Sequence, residues 1–214
     1  MPGNKTDTVK IFQDRTSASI AAAALIVEQL TNKLSLLERT SLMVSGGNTP
    51  RQCFEVLSNA QIPWARVDIS LSDERDVPSD HPASNERMLR ETLLVNFAQE
   101  SIFTPLLPQS TQPLQPFACV LIGMGEDGHF ASLFPDSPEL DEGLTSSAGA
   151  IRVSTPSSDY SRISATLNTI TESDLIVLLI FGEAKRKIAE SPDGYPIQKL
   201  LAQNRTPVQI FWAP

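Results

Sequence analysis

The fold is decided by the stretch Phe117-Ala118-Cys119-Val120-Leu121-Ile122-Gly123-Met124-Gly125-Glu126-Asp127-Gly128-His129-Phe130-Ala131-Ser132-Leu133-Phe134-Pro135. Its first six residues are apolar and have the length of a buried strand. The glycines that follow predict an irregular turn, because glycine adopts positive φ at little steric cost. The turn carries Asp127 and His129, an arrangement at a strand end that is typical of a general base with an orienting acid. The alternative interpretation is a histidine packed in a turn for structural reasons.

Apolar runs of strand length alternate with helical patterns along the rest of the chain. Strands are predicted over 9–13, 41–44, 66–71, 117–122, 174–181 and 207–212, with further strand-like segments at 151–153 and 163–167. Helices are predicted over 17–38, 50–57, 84–95 and 182–190, and the prolines between 104 and 116 predict a loop there. This alternation predicts an α/β protein with a Rossmann-like three-layer fold, in which helices flank a mostly parallel central sheet. The length predicts a single domain over 1–214.

Composition and charge narrow the function classes. The net charge of −8 argues against a nucleic-acid or membrane partner, because both need a basic surface. A small phosphate ligand needs only a few local cations and backbone N–H groups. The two cysteines, Cys53 and Cys119, are predicted to be buried and reduced, and no His/Cys cluster has the spacing of a metal site. We expect no cofactor and no metal. The first residues lack the pattern of a signal peptide, which predicts a cytoplasmic location.

Polar segments follow four of the predicted strands at their carboxyl ends. Ligands bind beyond these ends in parallel α/β sheets, so we expect the four segments to form one site. They are the turn Ser45-Gly46-Gly47-Asn48-Thr49-Pro50, the charged run Asp73-Glu74-Arg75, the glycine-rich turn 123–129 and the helix start Gly182-Glu183-Ala184-Lys185.

The turn over 45–50 has the composition of an anion-binding turn. Its glycines allow a close approach of the backbone to a ligand, and the helix that follows offers free N–H groups. Asn48 or Thr49 is the predicted helix cap, with Pro50 in the first turn. The alternative is a tight connection with an ordinary cap.

Several other charged residues are candidates for contacts with an anion. Arg75 is predicted to bind a phosphate or to polarise a carbonyl, and the alternative for 73–75 is a solvated loop with a surface ion pair. Lys185 stands in the first turn of a helix, where a cation opposes the helix dipole, and this indicates an anionic partner; the alternative, and the commoner outcome for such a lysine, is simple solvation. Arg162 follows a loop rich in serine and proline, and His81 is predicted to be an exposed loop residue.

The predicted core includes Met43, Phe54, Phe97 and Phe181.

Taken together, these segments resemble the 6-phosphogluconolactonases of the pentose phosphate pathway, which share a superfamily with glucosamine-6-phosphate deaminases and isomerases. The matching motifs are the turn 45–50, Ser72-Asp73-Glu74-Arg75-Asp76-Val77-Pro78, the segment Ser84-Asn85-Glu86-Arg87 through Leu94, and Gly123 through Pro135. The deaminases typically carry Asp-Glu-Tyr where this chain has Asp73-Glu74-Arg75, and Asn-Glu-Pro where it has Leu133-Phe134-Pro135. Two features depart from the family pattern: Phe130 replaces a threonine, and a proline-rich loop over 104–116 replaces a helix.

The resemblance implies hydrolysis of 6-phospho-D-glucono-1,5-lactone to 6-phosphogluconate by a water that His129 activates and Asp127 assists. It also implies that the 6-phosphate contacts the turn residues Ser45, Gly46, Gly47, Asn48 and Thr49, together with Arg162 and Lys185. Arg75 is a second phosphate or carbonyl contact, and Asp73 is a contact for sugar hydroxyls. The expected state is a monomer or a homodimer. The alternatives are a glucosamine-6-phosphate deaminase or isomerase, and a non-catalytic sugar-phosphate sensor.

Overall fold

The computed structural model describes residues 9–108, 116–156 and 158–214. A seven-stranded sheet forms the centre, and every pair of neighbouring strands in it is parallel. Its strands are β1 (Val9–Ile11), β2 (Thr40–Val44), β3 (Val67–Leu71), β5 (Ile102–Phe103), β6 (Cys119–Ile122), β9 (Ile176–Phe181) and β10 (Val208–Ala213), in the order β1-β10-β9-β6-β2-β3-β5. A second sheet is antiparallel and consists of β4 (Asp73–Arg75), β8 (Arg162–Ala165) and β7 (Ala150–Val153), in the order β4-β8-β7.

Helices cover both faces of the parallel sheet. They are α1 (Arg15–Leu34), α2 (Arg51–Ser58), α3 (Asn85–Thr92), α4 (Leu140–Thr145), α5 (Leu167–Thr171), α6 (Glu183–Ala189) and α7 (Pro196–Ala202), with 3-10 turns at Trp64–Arg66 and Asn96–Glu100. Successive residues of a strand point to opposite faces. Cys119 and Leu121 accordingly pack in one core with α1 and α2, whereas Val120 and Ile122 pack in a second core with α6 and α7. The predicted three-layer α/β fold is confirmed.

The helix boundaries differ from the predicted ones where a local cap decides them. α1 begins at Arg15, ahead of the predicted start, because Oδ1 of Asp14 accepts a hydrogen bond from the Ser17 N–H at 2.7 Å. α2 begins at Arg51, with Pro50 in the cap position and no side-chain cap, so the prediction of Asn48 or Thr49 as its cap is wrong. The predicted cap Ser84 is confirmed, since its hydroxyl accepts from the Arg87 N–H at 3.1 Å.

The antiparallel sheet is the main feature that the sequence patterns do not predict. The charged run 73–75 follows β3, as predicted, but it is itself a strand, β4, which pairs with β8. Phe97 is 49% exposed, so its assignment to the core is wrong, whereas Met43 and Phe54 are fully buried. The predicted loop over 104–116 falls partly on 109–115, outside the described residues, and its described parts contain neither helix nor strand.

Both cysteines lie in the core, as predicted. Neither forms a disulfide, and both are buried. Burial raises the pKa of the Cys53 thiol to about 12 and raises that of Cys119 as well. The single domain over 1–214 stays a prediction, and residues 1–8 lie outside the described part of the chain.

Candidate active site

A cavity of about 620 Å³ opens at the carboxyl ends of the parallel strands. The structure brings every predicted site residue to its wall: Ser45, Gly46, Gly47, Asn48, Thr49, Asp73, Arg75, Asp127, His129, Arg162 and Lys185. The wall also includes residues that were not predicted as site residues, namely Asn85, Gly123, Met124, Gly125, Glu126, Ala131 and Phe134. The rule that ligands bind beyond the carboxyl ends of parallel strands therefore located the cavity correctly.

His129 and Asp127 form a hydrogen-bonded pair in the turn after β6. Nδ1 of His129 lies 2.6 Å from Oδ1 of Asp127, and the same oxygen accepts the His129 backbone N–H at 3.2 Å. A carboxylate partner at Nδ1 stabilises the tautomer with the proton on that nitrogen and leaves Nε2 as the acceptor. The ring rests on Phe134, with 4.2 Å between the ring centroids. In that tautomer Nε2 is the ring nitrogen that is able to accept a proton.

The glycines of this turn make room for the pair. A Cβ on Gly125 would lie 2.2 Å from Nδ1 of His129 and 2.5 Å from Oδ1 of Asp127. Gly128 has φ +77°, and a Cβ there would lie 2.6 Å from Cβ of Tyr195. Only glycine fits these positions, for steric reasons at Gly125 and for both steric and backbone reasons at Gly128. The glycines of the turn thus reflect close packing, against the side chains of the pair at Gly125 and against Tyr195 at Gly128.

Phe130, which replaces the family's threonine, lies behind the cavity. Its side chain is fully buried in the core that α6 and α7 cover, and it does not line the cavity. The next residue, Ala131, does line it and has φ +48°, a left-handed conformation that is unusual outside glycine. Phe130 therefore contributes to the core, and at this point of the turn the methyl group of Ala131 faces the cavity.

The turn over 45–50 presents polar groups to the cavity. Gly47 has φ +84°. The hydroxyl oxygen of Ser45 is buried and has no hydrogen-bond partner among the described residues. An unpaired buried hydroxyl costs free energy unless a ligand or water satisfies it. This observation favours the anion-binding interpretation of the turn over an ordinary connection.

The three residues of β4 have three different environments. Asp73 is buried, and its Oδ2 accepts the Ser132 hydroxyl at 2.7 Å. The Glu74 carboxylate accepts the backbone N–H groups of Asn85 and Glu86 at 2.7 Å, and so holds the start of α3. Arg75 donates from Nη1 to the backbone oxygen of Ala83, and its buried Nε has no partner among the described residues. The solvated loop considered for this run is therefore excluded.

Arg75 and Arg162 lie directly opposite each other in the pairing of β4 with β8. Like charges in this position repel. Burial lowers the pKa of Arg162, and the positive charge of Arg75 lowers it further. The closest approach of Arg162 to a carboxylate is 3.9 Å, from Nη1 to Oδ2 of Asp73, while Nη2 donates to the Ser158 hydroxyl at 3.0 Å. An anion between the two guanidinium groups would relieve the repulsion.

Lys185 enters the cavity from the first turn of α6. Burial lowers the pKa of its amine, and the negative charge of Glu126 opposes that shift. Burial thus penalises the charge of the ammonium group, and a bound anion would stabilise it.

Three further predictions concern His81, metal-binding side chains and membrane-spanning helices. His81 lies in a loop, as predicted, but it is only partly exposed, because its Nδ1 accepts the Ala83 N–H at 3.1 Å and its ring meets the edge of Tyr160. Among the described residues, no group of three or more His, Cys, Asp or Glu side chains is arranged to hold a metal ion. In the same residues, no helix is both long and apolar enough to span a membrane.

Comparison with known proteins supports the resemblance seen in the motifs. The profile of the family described as glucosamine-6-phosphate isomerases/6-phosphogluconolactonase matches residues 13–211. A 6-phosphogluconolactonase of Caulobacter vibrioides is 36% identical, over 96% of this chain and 97% of that protein. One from Mesorhizobium japonicum is 35% identical, over 95% of this chain and 94% of that protein.

The fold agrees with a solved structure as well. The crystal structure of a 6-phosphogluconolactonase from Shewanella baltica superimposes with a TM-score of 0.92 at 36% identity, and the match covers 99% of this chain and all of that one. Sequence similarity and fold similarity both extend over nearly the whole chain. This chain therefore belongs to the family of glucosamine-6-phosphate isomerases and 6-phosphogluconolactonases.

Proposed function

We propose that this protein hydrolyses 6-phospho-D-glucono-1,5-lactone to 6-phosphogluconate in the pentose phosphate pathway, with His129 as the general base. The single observation that carries the role of His129 is its 2.6 Å contact with Asp127 in a cavity lined by three cations, Arg75, Arg162 and Lys185. The names of the relatives support the reaction and the substrate, and the cations suit a phosphorylated ligand.

Hydrolysis of the lactone needs an activated water and a proton for the departing ring oxygen. Neutral His129 accepts a proton from water at Nε2 while the water oxygen bonds to C1 of the lactone. Asp127 stabilises the imidazolium that forms and keeps the ring in place. When the tetrahedral intermediate collapses, the bond from C1 to the ring oxygen breaks, and the imidazolium returns its proton to that oxygen. The products are the open-chain acid and the regenerated neutral base.

The 6-phosphate is assigned to the turn 45–49 together with Arg162 and Lys185. Three of these groups lack a partner or are penalised by burial: the Ser45 hydroxyl has no hydrogen-bond partner among the described residues, and burial lowers the pKa of both Arg162 and Lys185. A phosphate dianion offers several acceptors to such donors. Arg75 is assigned as a second contact to the phosphate or to the carbonyl oxygen. Asp73 is assigned as an acceptor for sugar hydroxyls through Oδ1, which accepts only a long hydrogen bond from the Ser72 hydroxyl, at 3.3 Å, among the described residues, whereas Oδ2 accepts from Ser132 at 2.7 Å.

Two other functions are compatible with parts of this site. A glucosamine-6-phosphate deaminase or isomerase would act on a similar sugar phosphate, but this chain has Arg75 where the deaminases typically carry tyrosine. A non-catalytic sugar-phosphate sensor would need the cations without the pair of His129 and Asp127. A cytoplasmic location and a monomeric or homodimeric state belong to the proposal as well.

The proposal is tested by following freshly generated 6-phosphogluconolactone to 6-phosphogluconate, with the spontaneous opening subtracted. We expect a wild-type rate well above background, and a loss of about 10²–10⁴-fold in His129→Ala and a substantial loss in Asp127→Asn. A folded His129→Ala variant that loses less than about tenfold would remove His129 from the role of base. A wild-type protein without activity above background would contradict lactone hydrolysis, and release of ammonia from glucosamine 6-phosphate would then support the deaminase.

A further inference from the structure

Asn85 is a buried residue of the cavity wall to which the reaction described above gives no part. It is the first residue of α3 and is 3% exposed. Its Nδ2 donates to the backbone oxygen of Asp73 at 2.8 Å, and its backbone N–H donates to Oε1 of Glu74 at 2.7 Å. Buried amides are costly unless they are hydrogen-bonded, so these contacts hold the side chain in one orientation against β4.

The other side of the same amide packs on the phosphate turn. A Cβ built on Gly46 would lie 2.0 Å from Oδ1 of Asn85, 2.2 Å from Cγ and 2.5 Å from Nδ2. Gly46 does not have a left-handed φ, in contrast to Gly47 at +84°. Position 46 therefore requires glycine because of the Asn85 side chain, whereas position 47 requires it because of its backbone conformation.

Asn85 thus joins two backbone segments that belong to different sheets. The turn 45–49 ends β2 of the parallel sheet, and Asp73 begins β4 of the antiparallel sheet. The proposed phosphate contacts lie on the first segment, and Asp73 and Arg75 lie on the second. The amide fills the space between them, so its size and its hydrogen bond determine how far apart the two walls of the cavity stand.

We propose that Asn85 is a positioning residue that sets the distance between the turn 45–49 and β4, and thereby the affinity for the phosphorylated substrate. The inference rests on the proposed function of the cavity. Asn85 acts on binding more than on proton transfer, because it contacts the turn 45–49 and the Asp73 backbone directly, whereas His129 is oriented by its own contact with Asp127. Loss of the amide therefore raises KM and leaves kcat nearly unchanged.

The first test compares Asn85→Ala with Ser84→Ala. Ser84 begins the same helix and bonds to Glu74 and to the Arg87 N–H, but it does not line the cavity. We expect both variants to lower Tm, and only Asn85→Ala to raise KM, by about tenfold or more, with kcat within about threefold of wild type. Asn85→Asp keeps the shape and removes the donor to the Asp73 carbonyl, so it is expected to raise KM as well.

The second test couples the two partners. Gly46→Ala introduces a methyl group into the space of Asn85 and should raise KM strongly. In the double variant Gly46→Ala/Asn85→Ala the overlap is gone, so KM should fall below that of Gly46→Ala. Losses in KM that simply add would contradict the inference, because they would show that Gly46 and Asn85 do not act on substrate affinity through their contact. If Gly46→Ala does not fold, the comparison of Asn85→Ala, Asn85→Asp and Ser84→Ala still decides the question.

Binding of 6-phosphogluconate, measured by calorimetry on the same variants, separates this inference from the proposed reaction. A wild-type protein that binds 6-phosphogluconate without hydrolysing the lactone would contradict the reaction, and the ratios of Kd among the variants would still test Asn85. The inference is overturned if Asn85→Ala leaves KM and Kd unchanged. It is equally overturned if Asn85→Ala and Ser84→Ala raise KM alike, or if the loss in Asn85→Ala appears only in kcat.

Discussion

The hydroxyl of Ser132 donates to Oδ2 of Asp73 at 2.7 Å, across 59 positions of sequence. The hydroxyl is fully buried and the carboxylate nearly so. Ser132 stands three residues beyond His129, and its backbone N–H donates to the Ser164 hydroxyl at 3.1 Å. The bond therefore ties the loop of the proposed base to β4 and β8, which carry Asp73, Arg75 and Arg162.

The first prediction concerns this tie. Ser132→Ala leaves a buried carboxylate short of a hydrogen bond, so we expect the free energy of unfolding in denaturant to fall by about 1–3 kcal/mol. Ser35→Ala serves as the control, because Ser35 is exposed and its hydroxyl bonds only to the nearby Asn32 backbone oxygen. It should change stability by about 0.5 kcal/mol or less. Equal losses in the free energy of unfolding for the two substitutions would show that the bond from Ser132 to Asp73 does not stabilise the fold specifically.

The second prediction uses two glycines of one turn as a matched pair. A Cβ on Gly125 would overlap Nδ1 of His129 at 2.2 Å, whereas a Cβ on Gly123 would meet its nearest neighbour, Oγ of Ser45, at an ordinary 3.8 Å. Gly125→Ala should therefore displace the imidazole and lower kcat by about 10²-fold or more, as misplaced catalytic groups do. Gly123→Ala should have a much smaller effect. Steady-state kinetics with folding checked by circular dichroism decides this, and similar kcat values for the two variants would refute it.

The third prediction concerns the charge of Arg162. If Arg162 binds the phosphate, Arg162→Ala removes a charge-assisted hydrogen bond worth about 1.5–3 kcal/mol, which corresponds to roughly 10–100-fold in KM for the phosphorylated lactone. Hydrolysis of unphosphorylated gluconolactone should change little. Arg87→Ala, which removes an exposed arginine paired with Glu91, is the control for lost surface charge. Equal effects of Arg162→Ala on both lactones would exclude a phosphate contact.

The fourth prediction concerns pH and Lys185. Burial holds the folded-state pKa of Lys185 below its ordinary 10.5, so the unfolded chain binds the proton more tightly. The contribution of Lys185 to stability is therefore unfavourable at neutral pH, and it becomes less so as pH rises through the folded-state pKa toward 10.5. Lys185→Met lacks this unfavourable contribution, so we expect it to be more stable than wild type at neutral pH. The difference in the free energy of unfolding should shrink as pH rises toward 10.5. Unfolding curves of both proteins at a series of pH values measure the difference.

A bound phosphate should favour the charged form of Lys185, which burial disfavours in the free protein. The anion stabilises the ammonium form, so binding of 6-phosphogluconate should weaken as pH rises through the pKa of Lys185, and this alkaline decline should be absent in Lys185→Met. Calorimetric Kd values avoid the spontaneous opening of the lactone. A decline of the same size in both proteins would assign it to another group.

Local sequence patterns predict much of the fold and much of the candidate site. The apolar run 117–122 and the glycines after it predict a buried strand and an irregular turn, because these properties depend on neighbouring residues only. The alternation of strands and helices then predicts a parallel sheet, and the carboxyl ends of its strands indicate where a ligand binds. All the predicted site residues line one cavity for this reason.

Contacts between distant segments escape such patterns. β4 has three residues and β8 has four, too few for a clear alternation, and their pairing depends on the tertiary structure. Glu74 looks like one more charge in a polar run, and only the position of α3 makes it a cap for that helix. Phe130 departs from the family pattern next to the proposed base, and only the tertiary structure shows that its side chain lies in the core.

Residues close together in the chain are enough to predict an α/β protein with His129 and Asp127 in a turn after a central strand, because backbone conformation and alternation of apolar residues are local properties. The bond of Asp73 to Ser132, the position of Arg75 opposite Arg162, and the packing of Asn85 in the space left by Gly46 depend on the folded chain. These contacts join segments far apart in the chain. Their geometry follows from how the two sheets and α3 pack together, which no short stretch of residues encodes.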